Sequence, residues 1–148
     1  FKRKSLFIES TYKVAFSLLF FYFIFAIFPS AGPQFYFDVS ERAVPTNGYL
    51  FQKIMHVIQD GAEQPTGAFP SSHVGVTIVI LLLTSNTLPL FYKICLPITI
   101  LLMLSTVYIK AHYAVDAIAG FLIAPFILYL SDFMYYYQSK KRFRQTKL

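Results

Sequence analysis

An all-α bundle of membrane-spanning helices is the fold class this sequence predicts, on three observations. The chain is 56% hydrophobic and only 14% charged, with a mean hydropathy of +0.55, against about 25% charged residues in an average soluble domain. Its apolar residues gather into long runs instead of alternating, which favours spans over half-buried strands. Prolines, small polar residues and basic clusters close those runs, as membrane interfaces require. Four spans are expected within the 148 residues, forming one membrane-embedded domain over positions 1–148.

The first span runs from Tyr12 to Phe28 and is stopped by Pro29. It is short but adequate at about 1.5 Å per residue when aromatic flanks anchor it. A more polar stretch from Phe35 to Phe69 follows, broken by Pro45, Gly48, Gly61, Pro65 and Gly67. Inside it, Tyr49 to Gln59 places Leu50, Phe51, Ile54, Met55, Val57 and Ile58 at spacings that predict an amphipathic helix at the interface. The second span opens at Ser72 after Pro70, with Ser71 as N-cap, and ends near Leu83 before Thr84-Ser85-Asn86. The third covers Leu88 to about Tyr108, with a bend expected at Pro97. The fourth runs from about His112 to Tyr136, closed by the belt Tyr135-Tyr136-Tyr137 and the basic tail Lys140 to Lys147. No secretory leader is expected, because the first apolar run is long and lacks a small-residue cleavage pattern. Residue 1 is Phe and not Met, so upstream sequence is expected.

The net charge of +6 does not point to nucleic acid, since the basic residues cluster at the ends of lipid-compatible runs. The single Cys95 lies in an apolar run, where a thiol behaves as a small hydrophobe, and no disulfide can form within one chain. No metal set is expected either: His73 and His112 lack a third clustered nitrogen or sulfur ligand. The expected partners are the bilayer and a membrane lipid, with no cofactor, and the oligomeric state stays open.

Four consecutive antiparallel spans bring Pro29 to Gln34, Pro70 to His73, Ser105 to Lys110, and His112 to Asp116 to one membrane face. Every polar cluster of interest therefore converges by topology alone. The opposite face collects Lys2, Arg3, Lys4, Lys13, Lys93 and the tail's five basic residues, ten of the thirteen Lys and Arg. Cytoplasmic loops are rich in these residues. The tail is expected in the cytoplasm, and the clusters on the far side of an inner or plasma membrane.

Histidines and aspartates beside membrane spans mark functional sites by default. His112 and Asp116 stand four apart, so on a helix they share a face, where the carboxylate can take the Nδ1 proton and leave Nε2 as an in-line nucleophile. His73 then serves as general acid and later as general base. Ser71, Ser72 and the amides at the helix start form an anion cradle, and Lys110 neutralises a nonbridging oxygen. This is the chemistry of phosphoryl transfer, where positioning and charge stabilisation dominate. Each residue also has a structural reading: either histidine as a helix cap, His112 with Asp116 as a hydrogen-bonded pair, and Lys110 snorkelling to headgroups. For His56, on the interfacial helix, the structural reading is preferred.

FPSSH ending at His73 and STVYIKAHYAVD from Ser105 to Asp116 resemble the second and third signatures of the type 2 phosphatidic acid phosphatases, the PAP2 superfamily. The third signature reads Ser-Arg, five residues, His, three residues, Asp; its arginine position is Thr106 here. FPSAGPQF from Phe28 to Phe35 resembles the Gly-Pro-Arg segment of the inositol phosphorylceramide synthase-like branch, with Gln34 at the arginine. The resemblance implies a six-helix bundle whose last four helices this chain supplies. It also implies a metal-independent site in which His112 forms a phosphohistidine, Asp116 is its partner and His73 the acid. Ser71, Ser72, Ser105, Lys110 and Gln34 are then the expected phosphate-binding residues. The expected function is a membrane lipid phosphatase or phosphotransferase. The alternative is a noncatalytic lipid-binding or scaffold protein of the same fold.

Overall fold

The computed structural model describes residues 2–36 and 66–145, together with residues 50, 54 and 57. Its elements are α1 (Lys2–Ile27), a short α2 (Pro33–Tyr36), α3 (Ser72–Ser85), α4 (Pro89–Tyr108) and α5 (Ala114–Gln145). The described residues contain no strand, so the all-α expectation holds. The interfacial helix expected over Tyr49 to Gln59 lies for most of its length outside the described residues, as does His56.

Among the described helices, α1, α4 and α5 are long and apolar enough to cross a membrane. The protein is a membrane protein on that ground. The second expected span, α3, has 14 residues and covers about 21 Å, short of the ~30 Å hydrocarbon core. Its burial explains why it tolerates that length: α3 packs against α1, α4 and α5, so its neighbours face the lipid in its place. The core sits where Val74, Ile78, Val79 and Leu81 of α3 meet Ala117 and Ala124 of α5. At the α3 C-terminus the hydroxyls of Thr84, Ser85 and Thr87 donate to the carbonyls of Ile80, Leu82 and Leu83. Those bonds keep polar side chains satisfied where water is scarce.

Two helices run past their expected bounds. α1 begins ten residues upstream of Tyr12, because Glu9 and Lys13 pair across one turn and Lys13 also bridges to Asp132 of α5 at 2.6 Å. α5 continues to Gln145 through Pro125, and α4 likewise runs through Pro97. Close approach of α3 to both long neighbours depends on two glycines. A Cβ on Gly75 would stand 2.0 Å from the Phe21 ring, and one on Gly120 would stand 2.4 Å from the Ser71 carbonyl oxygen.

Candidate active site

The expected meeting of four chain ends occurs, and backbone hydrogen bonds hold it together. Ser30, just past α1, accepts through its carbonyl from the amides of Gly67 and Ala68, both at 3.0 Å, and through Oγ from Phe69 at 2.8 Å. The Ser71 amide donates to the Asp116 carbonyl at 3.0 Å, tying the start of α3 to the first turn of α5. Gly32 lies so close to Ala111 that a Cβ would stand 2.5 Å from its carbonyl oxygen. Gly67 has φ +121°, a conformation glycine adopts without strain, and the Phe69-Pro70 peptide is cis.

His112 sits in the turn before α5 and is buried. Its Nδ1 donates to the Ala68 carbonyl at 2.8 Å, while Asp116 Oδ2 lies 3.7 Å away. This differs from the helical His-Asp pairing expected from the spacing: α5 starts at Ala114, so the two residues do not share a helix face. Asp116 Oδ2 instead accepts from the Tyr113 amide at 2.8 Å, the carboxylate half of a capping box in the first turn of α5. A carbonyl only accepts, so the proton is on Nδ1 and the lone pair on Nε2. The tautomer wanted for an Nε2 nucleophile is thus set by a backbone carbonyl at 2.8 Å, with the carboxylate beside the same atom at 3.7 Å.

His73, in the first turn of α3, brings its Nδ1 to 3.4 Å from His112 Nε2, with the two rings edge to face. Both histidines and Ser72 line a cleft of about 780 Å3. The other expected site residues are placed differently. Ser71 is buried, and its Oγ accepts from the Val74 amide at 3.4 Å; it caps α3 as expected, and it lies outside the cleft lining. Ser105 Oγ donates to the Leu102 carbonyl at 2.8 Å, and the residue is exposed away from the lining. Thr106, at the signature's arginine position, is buried and donates to Met103 O at 2.9 Å. Gln34 has its backbone in α2, and its side chain lies outside the described residues.

Lys110 carries φ +58°, a left-handed conformation that disfavours side chains. It follows the end of α4, its amide donates to the Val107 carbonyl at 3.1 Å, and the His112 amide reaches back to the Thr106 carbonyl at 3.1 Å. The turn therefore swings the chain so that His112 faces His73. Lys110 itself is not among the residues lining the cleft. Among the described residues no three His, Cys, Asp or Glu side chains gather as a metal set.

Sequence reasoning missed Ser30, Gly32 and the Ala68 carbonyl, all of which position the histidines. Only the glycine left a trace, between Ala31 and Pro33 where no span needs a break.

Comparison with known proteins agrees with the motifs. A PA-phosphatase related-family protein of Dictyostelium discoideum is 28% identical over 127 residues, covering 84% of this chain and 22% of that protein. The chain thus spans about a fifth of the length of that relative. No solved structure matches. The sequence profile described as the PAP2 superfamily matches residues 1–130, and the chain belongs to that superfamily.

Proposed function

We propose that this protein is a membrane phosphatase or phosphotransferase that acts on a lipid phosphate, a lipid diphosphate or a phospholipid headgroup through a phosphohistidine, without a metal ion. The observation that carries this reading is the facing pair at the cleft: Nδ1 of His73 3.4 Å from Nε2 of His112, whose own Nδ1 is engaged by Ala68. Superfamily membership and the PA-phosphatase-related relative support a phosphatase-type reaction.

In the first step His112 Nε2 attacks phosphorus. The N–P bond forms as the bond to the lipid oxygen breaks, and His73 gives a proton to the departing oxygen. In the second step His73 takes a proton from water or an alcohol, whose oxygen attacks the same phosphorus and frees His112. Hydrolysis and transfer differ only in that second oxygen. Asp116, 3.7 Å from Nδ1, stabilises the imidazolium that accompanies the phosphohistidine. Ser72 and the first-turn amides of α3, at the positive end of its dipole, receive the nonbridging oxygens. Lys110 adds a positive charge two residues from the nucleophile, Ser71 and Ser105 hold backbone at the helix ends, and Gln34, at the arginine position of FPSAGPQF, is the further phosphate-binding residue of this reading. FPSAGPQF, which packs Gly32 onto Ala111, is the reason to place the chain near the inositol phosphorylceramide synthase-like branch. The charge asymmetry puts the tail in the cytoplasm and the cleft opposite it; a topology reporter fused after Leu148 that reads outside the cytoplasm would refute this.

The test is purified protein in detergent, given a panel of lipid phosphates with chelator present, beside His112→Ala. Phosphate release or headgroup exchange is expected from the wild type and lost in the variant. Activity unchanged in His112→Ala sinks the nucleophile, and activity abolished by chelator sinks the metal-free reaction. A noncatalytic lipid-binding protein, the reading Thr106 favours by replacing an arginine, predicts no turnover on any lipid.

A further inference from the structure

The cleft holds about 780 Å3, the size of sites that enclose a whole organic ligand, roughly 300–1,000 Å3. A phosphate alone leaves most of it empty. Away from the histidines its walls are mostly apolar: Leu18, Tyr22, Phe25 and Ala26 from α1, with Val76 from α3 and Leu102 from α4, and Thr77 one turn beyond His73. The α1 residues follow the spacing of a single helix stripe. From Ala26 to Leu18 that stripe is about 12 Å long, against about 15 Å for half the hydrocarbon core. Leu18 and Tyr22 are 39% and 57% exposed on a helix that crosses the bilayer, so the wing is open along its side. It ends near Leu18. Beside it Ser17 and Phe21 are buried, and further along Lys13 ties α1 to Asp132 of α5.

We propose that this wing receives one hydrocarbon chain of the substrate and that Leu18, at its far end, sets the chain length accepted. The inference rests on the reading of the histidines as the phosphoryl site. A chain leaving the bilayer for the wing gains little from burial, because lipid is as apolar as leucine. Selectivity must therefore come from fit, which makes a steric residue at the end decisive. At about 1.3 Å of advance per carbon in an extended chain, the stripe accommodates roughly nine carbons.

Alkylphosphonates test this without requiring turnover, since their carbon–phosphorus bond survives the site. Binding of butylphosphonate and nonylphosphonate to the protein in phosphatidylcholine nanodiscs is measured by phosphorus NMR titration. Leu18→Trp is expected to weaken nonylphosphonate, whose chain just reaches Leu18, about tenfold and to leave butylphosphonate, which ends near Tyr22, within about twofold. Leu102→Phe, narrowing the wing from α4 about two turns before that helix ends beside the site, should give the same pattern and guards against a misfolded tryptophan variant. Equal weakening of both ligands, or of neither, overturns the proposal. The expected pattern in a protein that hydrolyses no lipid phosphate supports the chain site and sinks the catalytic reading. Hydrolysis with no chain-length effect in either variant leaves the catalytic reading intact and sinks the chain site.

Discussion

Replacing Gly120 with alanine should damage stability and turnover together, because the glycine lets α5 touch the backbone of the α3 N-terminus. The added Cβ would stand 2.4 Å from the Ser71 carbonyl oxygen, where ordinary contact begins at 3.4 Å. The obstacle is backbone, so α3 and α5 must part by about 1 Å, an overpacking cost of about 1–3 kcal/mol. The bond from the Ser71 amide to the Asp116 carbonyl, 3.0 Å long, stretches beyond hydrogen-bonding range and removes about 1 kcal/mol more. Alanine's better helix propensity returns about 1 kcal/mol. The net loss is about 2 kcal/mol, a fall in the unfolding midpoint of roughly 4–8 °C. His73 rides on α3 and Asp116 on α5, so the same shift displaces the acid from the nucleophile's turn. A displacement of that size costs about a hundredfold in turnover. The assay is a thermal melt in detergent beside phosphate release from a lipid phosphate, with Ile118→Ala, at an exposed position of the same helix, as control. Wild-type melting and turnover in Gly120→Ala would refute the account of how the two helices are held.

Asp116→Asn keeps an acceptor for the Tyr113 amide but loses the charge beside His112; we expect an unchanged melt and turnover lowered at least tenfold, whereas a large drop in the melt would make Asp116 mainly a cap. Lys110→Ala keeps the left-handed strain and removes the cation, and we expect turnover about tenfold lower, about 1.4 kcal/mol in the barrier. Lys110→Gly should lower turnover equally while raising the melting midpoint, because glycine adopts φ +58° freely; wild-type kinetics in both variants would remove the cation from the reaction. Gly32→Ala should push the segment after α1 away from Ala111 and depress turnover with little loss of overall stability; turnover equal to wild type would show that this contact does not position His112.

Much of the bundle was legible because membrane spans obey a one-dimensional rule, an apolar run of sufficient length between polar stops. α3 and α4 begin within one residue of their expected starts at Ser72 and Leu88. α1 was underestimated because its first ten residues mix charged and apolar side chains, and their Glu9 finds its partner in Lys13 one turn on. α3 shows the limit of length as a criterion, since a helix wrapped by its neighbours need not match the bilayer alone. At the site, His73 and His112 were recoverable from motif and topology. The four-residue spacing from His112 named Asp116, which lies 3.7 Å from Nδ1, but could not show the Ala68 carbonyl that stands nearer, at 2.8 Å.

The sequence by itself determined the membrane setting, the convergence of four chain ends on one face and the identity of the two histidines, since each depends on order along the chain and on polarity. Tertiary structure alone decided which atom holds His112, which serines are occupied by backbone and where the hydrocarbon wing lies. Those depend on contacts between Ala68 and His112, Ser71 and Asp116, and α1 and α3, residues distant in sequence. Their distances are set by close packing at Gly32, Gly75 and Gly120, where a single methyl group would hold the elements apart.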